Sequence, residues 1–368
     1  MVEEKMKILK MLEEGKITAD EAVNLLNSLD GKITNKNKTH ESRDNQQQKK
    51  TESYSMDIDK KIEALSKDLA PKIEKAAKTV IDKANSFADK ISKSLSSSTS
   101  SSQKKVLNFE MYVVKGDNSQ LRLKCKNGKI HIKGYNGDKI TAKIGYNNNE
   151  NSRIELLRVD NTYYLNYDEA YFTNVAIEAF VPEFLFSKIY LETTNSSVFV
   201  DGLTGDEIDI AVNNGPIELK NISAKNVKLE TTNGNIHLEN ITGRLLHAES
   251  SNGFIDIKLS DVTNINLITS NGEIIIDSYI RELKESNTYE WKAETSNATI
   301  KVNTLKGFDI AYDIKALTSL NEIQINMANI DFIENEKSYI KAITNNYHTA
   351  LKKVNINLET SNAPITLF

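Results

Sequence analysis

Glu230 and Glu249 come nearest, in type and spacing, to a catalytic pair. They stand 19 residues apart, each three residues before an asparagine, Asn233 or Asn252. Two carboxylates converging on one face are what glycoside hydrolysis uses, one as acid and the other as base or nucleophile. The places one step before and one step after are Ala211 and Ile268, so no third carboxylate, base or metal partner joins the pair. The five histidines, His40, His131, His237, His247 and His348, show no metal-ligand spacing. His237 and His247 fall on predicted outward strand positions and read as surface polar residues. A single cysteine, Cys125, excludes an internal disulfide and a zinc site built from cysteines. There is no Gly-x-Ser-x-Gly elbow, phosphate loop or dinucleotide fingerprint. The expectation is therefore a protein that is not an enzyme, with no catalytic, cofactor-binding or metal residues and no cofactor. A polysaccharide-active β-helix enzyme is the remote alternative.

What would position such residues is a repeat. IYLETTNSSVFVDGL, IDIAVNNGPIELKNI, VKLETTNGNIHLENI, LLHAESSNGFIDIKL and INLITSNGEIIIDSY align without a gap, anchored on Asn195, Asn214, Asn233, Asn252 and Asn271 at a 19-residue step. A fixed period this short means stacked supersecondary units. Apolar residues recur six and four before each anchor (Ile208 and Ile210, for example) and three and five after it (Ile217 and Leu219). This alternation means two short strands per unit with one face inward. Asn-Gly between them reads as a turn that tolerates positive φ. Six residues after the anchors come Asp201, Lys220, Glu239, Lys258 and Asp277, opposite in sign from unit to unit, as stacked neighbours prefer. The same phase recurs around Asn127, Asn297 and Asn362, and Cys125 is predicted to point inward. The fold class is mainly β: residues 106–368 form a parallel β-solenoid of 19-residue coils. The intervals 129–188 and 305–355 are predicted to hold longer coils or hairpins that cover exposed edges. Tyr190, Phe199 and Phe254 lie on outward phases, where a ligand-binding surface would place aromatics.

Ahead of the solenoid the sequence predicts a small α-helical hairpin over 1–30, a solvated linker over 31–55, a long amphipathic helix over 56–95 and a Ser-rich linker over 96–105. The hairpin is too small to bury a core alone and should pack on another copy or a partner. In 56–95 the apolar residues Ile58, Ile62, Leu65, Leu69, Ile73, Val80, Phe87 and Ile91 follow an 11-residue step, and Lys61, Lys72 and Lys83 keep to it. Eleven residues over three turns is close to a straight α-helix, so the stripe does not wind as a heptad stripe does. Two readings stand. The helix lies on an anionic membrane surface, or it self-associates as a weakly right-handed coiled coil.

The 368 residues carry a net charge of -4. Residues 1–105 hold 21 Lys and Arg against 17 Asp and Glu, and the remainder holds 26 against 34. The acidic body argues against nucleic acid as a partner. No apolar run is long enough for a transmembrane helix, and MVEEKMKILKMLEEGK lacks the apolar region of a classical signal peptide. The expected location is cytoplasmic or membrane-peripheral, with surface exposure left open.

LKMLEEGKITADEAVNLL resembles the SHOCT-like helical module, with Gly15, Ile17, Thr18, Asp20 and Glu21 filling its pattern. The coil sequence T-S-N-G-x-I-x-L resembles the bacterial adhesin-like β-solenoid domain of unknown function. Both modules in this order look like the YvlB/LiaX type of Gram-positive protein. The resemblance implies a non-catalytic binding or sensing protein near the cell envelope, acting in adhesion or in the response to membrane damage by antimicrobial peptides, and it brings no catalytic residues with it. The ligand is a protein or a glycan. A cytoplasmic adaptor that oligomerises through its N-terminal helices is the alternative.

Overall fold

In the computed structural model the residues described are 105–114, 118–148, 153–184, 186–278, 288–304 and 309–368. The expectations for 1–30, 31–55, 56–95 and nearly all of 96–105 lie outside them. The described residues are almost entirely strand and turn, and no helix among them is long and apolar enough to cross a membrane.

An N-terminal group comprises β1 (Lys105–Tyr112), β2 (Ser119–Cys125), β3 (Ile130–Tyr135), β4 (Lys139–Asn148), β5 (Glu155–Val159), β6 (Thr162–Asn166) and β7 (Phe172–Pro182). The middle holds β8 (Phe186–Thr193), β9 (Val198–Asp201), β10 (Thr204–Val212), β11 (Ile217–Thr231), β12 (Ile236–Ser250), β13 (Ile255–Thr269) and β14 (Ile274–Ser278). The C-terminal group is β15 (Thr288–Thr295), β16 (Ile300–Asn303), β17 (Ile310–Thr318), β18 (Ile323–Ile325), β19 (Ile330–Asn335), β20 (Tyr339–Thr344), β21 (Lys352–Thr360) and β22 (Ile365–Leu367).

All 22 strands belong to one hydrogen-bonded, mostly parallel sheet that turns back on itself as two ladders. The first ladder takes the strands that precede the anchor asparagines: β2, β8, β10, the second halves of β11 to β13, β15, β21 and β17. The second takes those that follow the anchors: β3, β9, the first halves of β11 to β13, β14, β16, β22 and β18. In the central coils each residue pairs with the one 19 positions on, as in Ile217 with Ile236 and Ile236 with Ile255. Like therefore stacks on like. Ile130, Val198, Ile217, Ile236, Ile255, Ile274, Ile300, Ile365 and Ile323 form one continuous column. These and the facing residues, such as Ile210, Leu229, Ala248 and Leu267, are buried between the ladders. Each such Val, Leu or Ile side chain stabilises the stack by about 1.5–3 kcal/mol.

The intervals read as edge covers do that work. At the N-terminal end β7 pairs parallel with β3, then β4 and β1 add antiparallel, while the β5–β6 hairpin covers β2. At the other end β17 receives β20 and β19 antiparallel. Spatial order here departs from chain order. The last coil of the chain, β21–β22, lies between β15–β16 and β17–β18.

Candidate functional site

The outward surfaces of the two ladders are where a ligand would meet this unit, and two corners fix them. At the first corner Asn195, Asn214, Asn233, Asn252, Asn271, Asn297 and Asn362 each donate Nδ2–H to Oδ1 of the asparagine one coil earlier, starting from Asn127, at 2.5–2.8 Å. One exposed amide ladder thus joins all eight anchors. In the β17–β18 coil Leu320 takes the anchor place: Thr318 pairs with Thr360, and Leu320 N–H donates to Ser361 O as Asn362 N–H does to Ser296 O.

Behind the ladder lies a buried row of hydroxyls two residues before the anchors. Thr193, Thr231, Ser250, Thr269 and Thr295 donate to the carbonyls of Gly128, Gly215, Gly234, Gly253 and Gly272 in the preceding coil, at 2.8–3.1 Å. The hydroxyls of Thr231, Ser250 and Thr269 also accept from the amide of the glycine in their own coil. Val212 interrupts the row. The reading of Asn-Gly as a positive-φ turn is corrected here. Of the anchors only Asn127 has positive φ, and Gly234 does not. Glycine is needed because a Cβ on Gly234 would be driven into the carbonyl oxygen of Gly215 directly below it. Closeness of stacked backbones, not handedness, selects the residue.

The second corner does use the left-handed region. Gly202, Asn221, Asn240 and Leu259, again 19 apart, have φ of 73°, 53°, 56° and 49°. Asn240 donates to Asn221 and Asn221 to Asp201, both at 2.8 Å. The sequence reading missed this corner, although its Gly and Asn residues keep the repeat step.

On the second ladder the alternating charges Asp201, Lys220, Glu239, Lys258 and Asp277 stand in register. The ion pairs close only in part. Lys220 reaches Glu239 at 3.5 Å and its strand neighbour Glu218 at 2.9 Å, and Lys258 turns to Asp256 at 3.1 Å. His237 Nδ1 meets the buried Asp256 at 3.0 Å. The His131 ring packs edge-on against Phe199 at 4.5 Å, and burial with the nearby Lys129 and Lys133 charges pushes its pKa down to about 4.

On the first ladder, toward the N-terminal end, Gln120, Leu121, Arg122, Thr162, Lys188 and Tyr190 line a shallow hollow of about 220 Å³. The Arg122 guanidinium lies over the Tyr190 ring, 5.2 Å from its centre. Tyr190 donates to Glu192 at 2.8 Å; burial and that carboxylate push its pKa up to about 12. Lys188 is held by Glu207 at 2.7 Å. Further along, Glu230 and Glu249 are paired in register. The structure brings His247 beside them, with Nε2 3.8 Å from Glu249, a grouping that chain spacing did not reveal. The 19-residue step together with the His-x-Glu alternation could have shown it. The helix positions Ile58, Ile62, Leu65, Leu69, Ile73, Val80, Phe87 and Ile91 lie outside the described residues.

A mostly parallel stack of in-register coils with antiparallel covers defines a solenoid-like class of β protein. Residues 89–311, more than half of the chain, match the Toastrack DUF4097 family, and the protein belongs to that family. Residues 3–32 match a SHOCT-like domain. No curated protein matches the chain. Similar solved structures include a "putative cell adhesion protein" from Clostridium sporogenes (14% identity, 72% of this chain and 99% of that one, TM-score 0.24). Others are a "putative adhesin" from Bacteroides fragilis (12%, 72% and 98%, TM-score 0.37) and a "putative lipid binding protein" from Parabacteroides distasonis (13%, 72% and 97%, TM-score 0.41).

Proposed function

We propose that this protein is a non-catalytic β-solenoid that binds or senses a ligand at the bacterial cell envelope, in adhesion or envelope stress, and that it receives an acidic glycan at the Arg122–Tyr190 hollow. The observation that carries this reading is the disposition of Arg122. Its guanidinium rests on an aromatic face, and among the described residues it has no ion pair. A guanidinium so placed presents its remaining donors to a carboxylate or phosphate in a two-pronged manner. The tyrosine ring gives a sugar an apolar face, and Gln120 and Thr162 supply hydroxyl and amide partners at the rim. An outward sheet face bearing a shallow hollow suits recognition of an extended chain better than turnover, which requires groups converging around a reacting atom.

Residues 56–95 complete the proposal. Their straight apolar stripe with regularly placed lysines would dock the chain on an anionic membrane. The test is binding of the full chain to isolated acidic cell-wall polymers, with Arg122→Gln and Tyr190→Ala as variants. Loss of binding in both, with unchanged melting, is the expected result. Binding that ignores both substitutions refutes this assignment of the surface. Protease accessibility on intact cells, with and without an envelope-active peptide, tests the location.

A further inference from the structure

Glu230, His247 and Glu249 can bring one ligand atom each to within 4.8 Å of one another on the outward face of the first ladder. We propose that they bind a first-row transition dication of the Zn²⁺ kind. The backbone fixes their places: Glu230 pairs with Glu249 across adjacent coils, and His247 is flanked in register by Lys228 and Asn266. Two carboxylates stacked in a parallel ladder repel each other. Lys228, 2.6 Å from Glu230, answers one of them. Glu249 meets the imidazole at 3.8 Å and lies within the electrostatic reach of the same lysine. Tetrahedral ligands about 2.0–2.2 Å from a zinc ion stand roughly 3.4 Å apart, so small movements of two glutamate side chains close the set.

The side chain on the far edge of the ring can serve the site. A ligating histidine needs its other ring nitrogen held by an acceptor. Asn266 Nδ2 lies 3.1 Å from His247 Nδ1, to which it can only donate, and its Oδ1 is buried without a hydrogen-bond partner. On metal binding that amide would turn, bringing Oδ1 onto Nδ1–H and the Nε2 lone pair toward the carboxylates, and so would orient the ring as a ligand. Glu294 and Glu359 are also stacked in register, but the places equivalent to His247 there are Lys292 and Asn357. Among the described residues, only the 230–249 pair therefore joins stacked carboxylates to an imidazole. An imidazole in the set selects Zn²⁺-like ions over the oxygen-seeking Mg²⁺ and Ca²⁺. Three protein ligands leave a coordination position open, as in exchangeable rather than purely structural sites.

The experiment is calorimetric titration of the tag-free full chain, stripped by chelator, with ZnCl₂, and with MgCl₂ in parallel. One zinc site is expected, with no magnesium response. His247→Gln and Glu249→Gln should each weaken it at least about tenfold, and Asn266→Ala about ten- to a hundredfold. Lys228→Gln, which removes a competing cation, should tighten it. His237→Gln, on the other ladder, should leave it unchanged. Melting curves without metal check each variant's fold, and Glu249→Gln carries the test if His247→Gln proves unstable. Absence of zinc binding, or a site that persists unweakened in the folded variants, overturns the proposal.

Discussion

Replacing Thr269 by Val exchanges a hydroxyl for a methyl at nearly constant volume and asks what the buried hydroxyl row contributes. Thr269 is buried, donates to Gly253 O at 3.0 Å and accepts from Gly272 N at 3.2 Å. Valine leaves one buried carbonyl and one buried amide without partners, each costing about 1–3 kcal/mol. The added methyl returns about 0.8 kcal/mol. The net loss is thus about 1–5 kcal/mol, which for a unit of this size lowers the melting temperature by roughly 2–20 °C. Trp291 is the sole tryptophan, is buried, and pairs in register with Ile265 on the same strand as Thr269, so its fluorescence follows the affected coil. Thr269→Ser keeps the hydroxyl, as Ser250 does in the coil before, and should cost only about 0.8 kcal/mol for the lost methyl. The reciprocal change, Val212→Thr, restores the missing member of the row and should gain about 1 kcal/mol. Equal losses for Thr269→Val and Thr269→Ser would refute the hydrogen-bond account and leave only packing.

Leu259 is held in the left-handed region that Gly202, Asn221 and Asn240 occupy with less strain. Leu259→Asn should therefore stabilise by about 1 kcal/mol, read as a rise of about 2–4 °C in melting temperature. His131 keeps its pKa near 4 in the folded protein against about 6.5 when unfolded. The unfolded chain therefore takes up a proton first, and stability is lost as pH falls from about 6.5 toward 4. His131→Gln should flatten that part of a melting-temperature profile relative to the parent, and an unchanged slope would remove His131 as its source. A peptide spanning 56–95 should gain helical circular dichroism on anionic vesicles, less so at high salt, and not on neutral ones. Concentration-dependent helicity in buffer with no vesicle response would favour the coiled coil.

Much of the stack was legible because parallel register makes neighbours alike. Ile217, Ile236, Ile255 and Ile274 occupy one column, so the column appears in the sequence as a period. The asparagines were visible for the same reason, since each amide has a donor for one neighbour and an acceptor for the other. What the period did not disclose was its cause at each place. Gly234 looked like a residue chosen for φ and is one chosen for the approach of Gly215. The threonines of T-S-N-G were in view as letters, but their partners are backbone groups of two coils, which spacing along one chain cannot display. The second corner was hidden by Leu259, whose side chain gives no turn signal, and the β17–β18 coil by Leu320 in the asparagine place. His247 was read alone because its partners are Glu249 along the strand and Glu230 across it.

The order of the last coils follows from the problem every open sheet faces. Had the chain ended with β21–β22 outermost, the nine residues of Lys352–Thr360 would present a long unpaired parallel edge, a template for another chain. Hydrogen bonds between coils are indifferent to which loop connects them, so the closing coil can enter between β15 and β17 and be paired on both sides. The edges left outside are then of a different kind. On the second ladder the outer strand is β18, only three residues long. On the first it is β19, broken in register between Phe332 and Glu334 and carrying exposed Asp331 and Glu334. Short, bulged and charged strands are poor templates for further pairing. Among the described residues, the C-terminal end of the stack thus keeps its most regular remaining coil inside and its least regular strands at the rim.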